Sequence, residues 1–244
     1  MKKKIIFTLI LCLIISVANA QESKNSLEFS INPNSSYRSL NSNYDYLDER
    51  DDKVILLDFS IGYIRTISKK FSIETGVRYS KKGFNRTPVT FINYPFDINS
   101  PHSLKYRLNY IGVPIGLRYN IFKINNFTVG ISAGVNNNLL LKASYEPFDI
   151  IELTDFITGG EDTGKPQKRV YKGKVLKDIG YNIYNPELFM KLLFNYSFKN
   201  MTIGVSPNYN LSLKDIGKKE YSFYHTESEK LYSLGIQFSI SRAF

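Results

Sequence analysis

The sequence predicts an all-β fold, an eight-stranded antiparallel up-and-down transmembrane β-barrel with four long extracellular loops. Three observations predict it. The chain opens with an export signal; the rest divides into runs of about ten residues that alternate apolar and polar side chains; and the polar side of those runs is built from small residues.

The export signal comes first. Lys2, Lys3 and Lys4 precede an apolar run over residues 5–17, and Ala18-Asn19-Ala20 supplies the small-x-small pattern read by signal peptidase. The run is too short to cross a bilayer as a helix, so residues 1–20 are expected to be a cleaved signal peptide and 21–244 a single barrel domain. Cys12, the only cysteine, leaves with the signal, and no thiol chemistry remains. His102 and His225 are the only histidines and stand far apart, so neither a metal centre nor a cofactor is expected. Removing the three signal lysines lowers the formal charge from +10 to about +7, basic without the footprint of a nucleic-acid binder.

The strands follow in order at about 27–37, 54–67, 71–82, 105–121, 127–140, 184–198, 201–213 and 231–244. In the second, Leu57, Phe59 and Ile61 oppose Asp58, Ser60 and Gly62. In the third, Phe71, Ile73, Thr75, Val77 and Tyr79 oppose Ser72, Glu74, Gly76, Arg78 and Ser80. The fourth sets Ile111, Val113, Ile115 and Leu117 against Gly112, Gly116 and Arg118, and the fifth sets Phe127, Val129, Ile131 and Val135 against small residues from Thr128 to Gly134. Leu188, Met190, Leu192 and Phe194 of the sixth face away from Glu187 and Lys191. The seventh alternates small polar residues from Thr202 to Asn208, and the eighth sets Leu234, Ile236, Phe238 and Ile240 against Ser233, Gly235, Gln237 and Ser239. Tight turns near 68–70, 123–126 and 199–200 alternate with long connections, which places both termini on the periplasmic side.

Alternation alone fits a soluble, periplasmic lipocalin-like barrel equally well; the polar face separates the two. A water-exposed face would be rich in Lys and Glu. Here it is mostly Gly, Ser, Thr and Asn, which suit a narrow interior, and Lys191 is almost its only lysine. The charges on it, Glu28, Asp58, Glu74, Arg78, Arg118, Glu187 and Lys191, have mixed sign and are expected to pair in the lumen, because lone buried charges cost several kcal/mol. Ile64, Phe189 and Leu193 also fall inward by parity and Arg65 outward, which implies register shifts or a partly apolar lumen. Pro114 and Pro207 remove ladder donors, so bulges or frayed pairings are expected there. Aromatic residues gather at both strand ends as interfacial girdles. The terminal Phe244 continues the apolar face of the last strand and resembles the signal read by the outer-membrane assembly machinery.

The segments GVRYSKKGF (76–84), YIGVPIGLRYNIF (110–122) and FTVGISAGV (127–135) resemble the third, fourth and fifth strands of the PorT-type outer-membrane β-barrel family of the Bacteroidetes. The spacing of Tyr110, Pro114, Arg118 and Tyr119 carries much of the likeness. The sixth strand departs from it in lacking glycines, as does the long insertion over 141–180. The resemblance implies an outer-membrane location and, since PorT is tied to type IX secretion, a structural or interaction role as an accessory to secretion or envelope assembly. The expected partners are outer-membrane lipid and lipopolysaccharide, the assembly machinery and other envelope proteins.

Motifs with catalytic overtones are weak. GGEDTGK (159–165) has phosphate-loop spacing, but Pro166 stands where a hydroxyl is needed and Glu161 and Asp162 would repel phosphate. His102-Ser103 with Asp97, or His225 with Glu227 and Glu229, could be drawn as a rim hydrolase acting on lipid A or peptide, but no local motif supports it, and the chain is expected not to be an enzyme. The loops carry opposite charge: Asp45, Asp48, Glu49, Asp51 and Asp52 in the first, and Lys165, Lys168, Arg169, Lys172, Lys174 and Lys177 in the third. The two either pair with each other, or the basic segment forms an anion-binding loop for lipopolysaccharide phosphates or an acidic partner.

Overall fold

The computed structural model describes residues 25–41, 51–86, 104–147, 169–178, 180–217 and 228–244. The signal segment, the acidic residues Asp45, Asp48 and Glu49, the 159–165 motif, Lys165, Lys168 and both histidines lie outside them.

Ten strands and one short helix follow in chain order: β1 (Asn25–Asn41), β2 (Asp51–Asp52), β3 (Val54–Thr66), β4 (Phe71–Arg86), β5 (Leu104–Ile124), β6 (Phe127–Pro147), β7 (Arg169–Lys172), α1 (Lys174–Asp178), β8 (Tyr184–Phe198), β9 (Met201–Ser212) and β10 (Ser228–Ala243). Eight of them, β1, β3, β4, β5, β6, β8, β9 and β10, close into an antiparallel barrel: each pairs with its neighbour in sequence, β1 pairs with β10, and the β4–β5 ladder completes the ring. Closure leaves no unpaired edge across the wall, which is what lets a sheet cross hydrocarbon. The sequence-predicted strands are all present; β4 and β6 run further than expected at the long-loop end, β5 chiefly at the short-turn end, and the small β2 and β7 add to β4 and β6 at the long-loop end.

The register fixes the geometry. Following the inward pairs from Ser26 through Ile64, Glu74, Gly116, Gly134, Phe189, Asn210 and Ser233 returns to β1 at Ser36, ten residues along. A shear of that size over eight strands tilts them about 40° from the barrel axis. The interior is then only wide enough for side chains.

Prolines interrupt the ladders without shifting them. Pairing lapses beside Pro33 between β1 and β10, beside Pro114 between β4 and β5, and beside Pro207 between β8 and β9, and it resumes in the same register each time. The register shifts lie elsewhere, at Asn109/Tyr110 and Asn120/Phe122. Frayed pairing rather than a bulge is how each proline is accommodated, because only the ladder lacking the donor opens.

The apolar side chains face outward. Phe29, Phe59, Ile61, Val113, Leu117, Met190, Leu192, Ile203 and Phe238 are all exposed, a wall suited to hydrocarbon and unsuited to water. Phe71, Phe127, Tyr196, Phe198 and Phe244 are exposed at the short-turn end, and Phe71 packs on Tyr119 with ring centroids 5.0 Å apart. At the other end Tyr37 stacks on Tyr232 at 5.3 Å.

Candidate functional site

The lumen is stacked in layers. In the layer nearer the short turns, Arg118 is the hub. Its Nη2 and Nη1 donate to the two oxygens of Glu28 at 2.8 and 3.1 Å, and its Nε donates to Glu74. Glu74 also accepts from Ser132 at 2.9 Å and from Lys191 at 3.0 Å. These residues come from five strands, and only the closed register brings them together.

The next layer holds a second pair. Arg78 donates to Asp58 at 2.6 Å and to Asn210 Oδ1 at 3.0 Å, and Asp58 also accepts the Lys81 backbone N–H at 2.9 Å. Asn208 donates to Asn32 at 2.9 Å and Asn210 donates to Asn208 at 3.1 Å, so the asparagines form a chain of amides across the barrel. Above them Lys82 is 1% exposed, donates to Ser233 at 2.6 Å and lies 3.5 Å from Glu187. Glu28, Asp58, Glu74 and Glu187 are thus matched by Arg78, Lys82, Arg118 and Lys191. Breaking one such pair strands a buried charge, so each member is held by the others.

All seven inward charges read from the sequence fall in these clusters. Lys82 was missed there, although it continues the parity of Glu74 and Arg78, because the strand was expected to end at that residue. Ile64, Phe189 and Leu193 are buried, so the lumen is partly apolar, as their parity implied. The Phe189 ring fills the space left by two glycines: a Cβ on Gly116 would sit 2.6 Å from Phe189 Cζ, and one on Gly134 2.8 Å.

Toward the long-loop end the inward positions turn apolar. Phe84, Leu108, Tyr110, Leu140 and Leu231 meet Leu176 of α1 and Ile216, all buried, with Tyr106, Tyr171, Tyr181 and Ile183 packed around them. Phe84 stacks on Tyr106 at 4.7 Å, under the Arg38 guanidinium. A strap over 180–183 holds α1 across the mouth: the Tyr181 N–H donates to Leu176 O at 2.9 Å, Asn182 N–H to Ile216 O at 2.9 Å, and Leu140 N–H to Ile183 O at 2.7 Å. Between this plug and the ion layers lie Asn34, Ser80, Asn138, Asn185, Glu187 and Ser212, each with a buried polar atom that has no partner among the described residues. A lumen cavity beside Asp58, Arg78 and Lys191 measures about 30 Å³, room for a single water.

The basic segment is not a loop where it is described. Arg169 and Lys172 stand on β7, which pairs with β6, and Lys174 and Lys177 stand on α1. Neighbouring positions on β7 face opposite ways, so Tyr171 enters the plug while Lys172 is exposed. The insertion over 141–180 therefore contributes strand and helix where it is described.

Comparison with known proteins places this architecture. The curated proteins give no sequence match. Among solved structures the chain is similar to neisserial surface protein A, NspA, at 10% identity over 91% of this chain and 98% of that one, with a TM-score of 0.46. It is similar to the outer membrane protein OprG from Pseudomonas aeruginosa, at 12% identity over 92% and 98% with a TM-score of 0.41. It is also similar to Ail, the attachment invasion locus protein of Yersinia pestis, at 12% identity over 89% and 99% with a TM-score of 0.39. Residues 19–216 match the family described as outer membrane protein beta-barrel domain. With that match covering most of the strands that close the barrel, the chain is a member of the outer membrane protein β-barrel domain family.

Proposed function

We propose that this outer-membrane barrel is a sealed, non-catalytic scaffold that works through contacts at its long-loop end. Both termini are periplasmic, and the protein serves as an accessory to secretion or envelope assembly, as in PorT-type proteins. The observation that carries the reading is the filled lumen. Paired charges, an amide chain and an apolar plug succeed one another along the axis, and the small cavity beside Asp58 has room for about one water. Transport through such a lumen would require breaking buried ion pairs and undocking α1. Function then belongs to the outside of the barrel and its rim, where other envelope proteins and lipopolysaccharide are the partners. Phe244, exposed on the lipid side with its N–H donating to Asn25 O at 2.9 Å, is in position to be read by the assembly machinery.

Planar-bilayer recording of the refolded protein tests the reading. The expected record is a flat baseline at voltages where porins conduct. Steady, reproducible conductance steps from the wild-type chain would contradict it.

A further inference from the structure

The outward face of the β4–β5–β6 wall changes character over one ladder step. Tyr79, Ile111, Leu139 and Tyr184 are neighbours in register and form the last apolar row at the long-loop end. The next outward row reads Lys81, Asn109, Lys142 and Lys172, joined by the β4–β5, β5–β6 and β6–β7 ladders. It sits about 5 Å further along the axis, the level of lipid headgroups above a hydrocarbon band. Lys142 and Lys172 stand directly opposite each other, an arrangement that is destabilising on a bare sheet. None of the three lysines forms an ion pair among the described residues. The acids of this face, Asp52 and Glu146, lie two rows further out, in the row Asp52, Asn85, Lys105 and Glu146. Lys214 adds a further charge beside the apolar row, 5.2 Å from the centre of the Tyr184 ring.

We infer that Lys81, Lys142 and Lys172 form a clamp for the phosphates of the outer-leaflet glycolipid, with its acyl chains lying on the apolar wall below. An anion between Lys142 and Lys172 turns a repulsive pair into a binding site, and the exposed Leu139 and Leu141 beneath them offer the lipid its apolar contact. On the other side of the rim the row beyond Tyr37 and Tyr232 pairs Ser39 with Lys230, so among the described ladder pairs two lysines face each other only at Lys142 and Lys172. At the short-turn end Lys70 and Lys199 sit on separate turns and Lys123 near the end of β5, and Lys70 and Lys199 lie over the rings of Tyr119 and Phe198. Of the basic residues expected in one loop only Lys172 contributes, and all three clamp lysines stand on strands.

The inference rests on the long-loop end being the outer one, so its test is carried out where orientation plays no part. Native mass spectrometry of the full-length protein refolded in detergent would count retained diphosphoryl lipid A for the wild type, for K81Q/K142Q/K172Q and for the control K70Q/K123Q/K199Q. Retention by the first variant is expected to fall at least tenfold, with the folded form on a cold gel unchanged, and the control is expected to match the wild type. Equal retention by the wild type and the clamp variant, or a loss confined to the control, overturns the inference. If the clamp variant does not fold, the wild type decides: retention of diphosphoryl but not dephosphorylated lipid A supports the clamp, and equal retention of the two overturns it. An error of orientation would show separately, as protection of the long-loop end on intact cells.

Discussion

Arg118 answers two carboxylates at once, so its loss should be felt more than that of any single acid around it. Replacing it with Met leaves Glu28 without a cation and Glu74 with Lys191 alone. The expected cost is about 3–5 kcal/mol, read as a lower urea midpoint for the refolded protein; a cost below about 1 kcal/mol would mean that water already screens the cluster. Lys82→Met should likewise destabilise, because Glu187 loses its nearest cation in a layer where Asn138 and Asn185 are already short of partners. Parity in the sequence was enough to put Glu28, Glu74 and Arg118 on one face. Their pairing was not legible, because it depends on the stagger between strands up to ninety residues apart. Lys82 could have been found by carrying the alternation of β4 one step further, to the last residue assigned to that strand.

At the level of elements, β8 shows how a strand without glycines fits a narrow barrel: its bulk is received by glycines of β5 and β6. Gly116→Ala should cost about 1–3 kcal/mol, since its Cβ would press into the Phe189 ring. Combining it with Phe189→Leu should recover part of that loss, whereas strictly additive costs in the double variant would show that the contact is not the cause. The plug makes a second prediction. Leu176 is fully buried under the mouth, and Leu176→Asp should release α1, so that trypsin cuts at Lys174 and Lys177 faster while the barrel keeps its gel mobility. The eight wall strands were legible from period-two patterning because each meets two different environments along its length. β7 and α1 were not, because elements of four and five residues have no stability of their own and form only against β6 and the plug. The plug itself left a signal: inward positions pass from Ser80 to Phe84, from Gly112 to Leu108 and from Asn138 to Leu140 as the strands approach the long loops.

The whole molecule is a closed, strongly sheared sheet turned inside out relative to a soluble protein, apolar on the outside and polar within. What the sequence could not supply was the vertical order of its interior, from ion layers through amide chain to apolar cap, since that order emerges only once the register is closed. The same closure sets the level at which the outer wall passes from tyrosine to lysine. The most direct test of a membrane-spanning barrel with its long loops outside combines heat modifiability on a cold SDS gel of membrane-extracted protein with protease treatment of intact cells. The unboiled form is expected to migrate apart from the boiled one, with cleavage confined to the connections of the long-loop end. A protein recovered in the soluble periplasmic fraction, with no mobility shift and no surface cleavage, would contradict it.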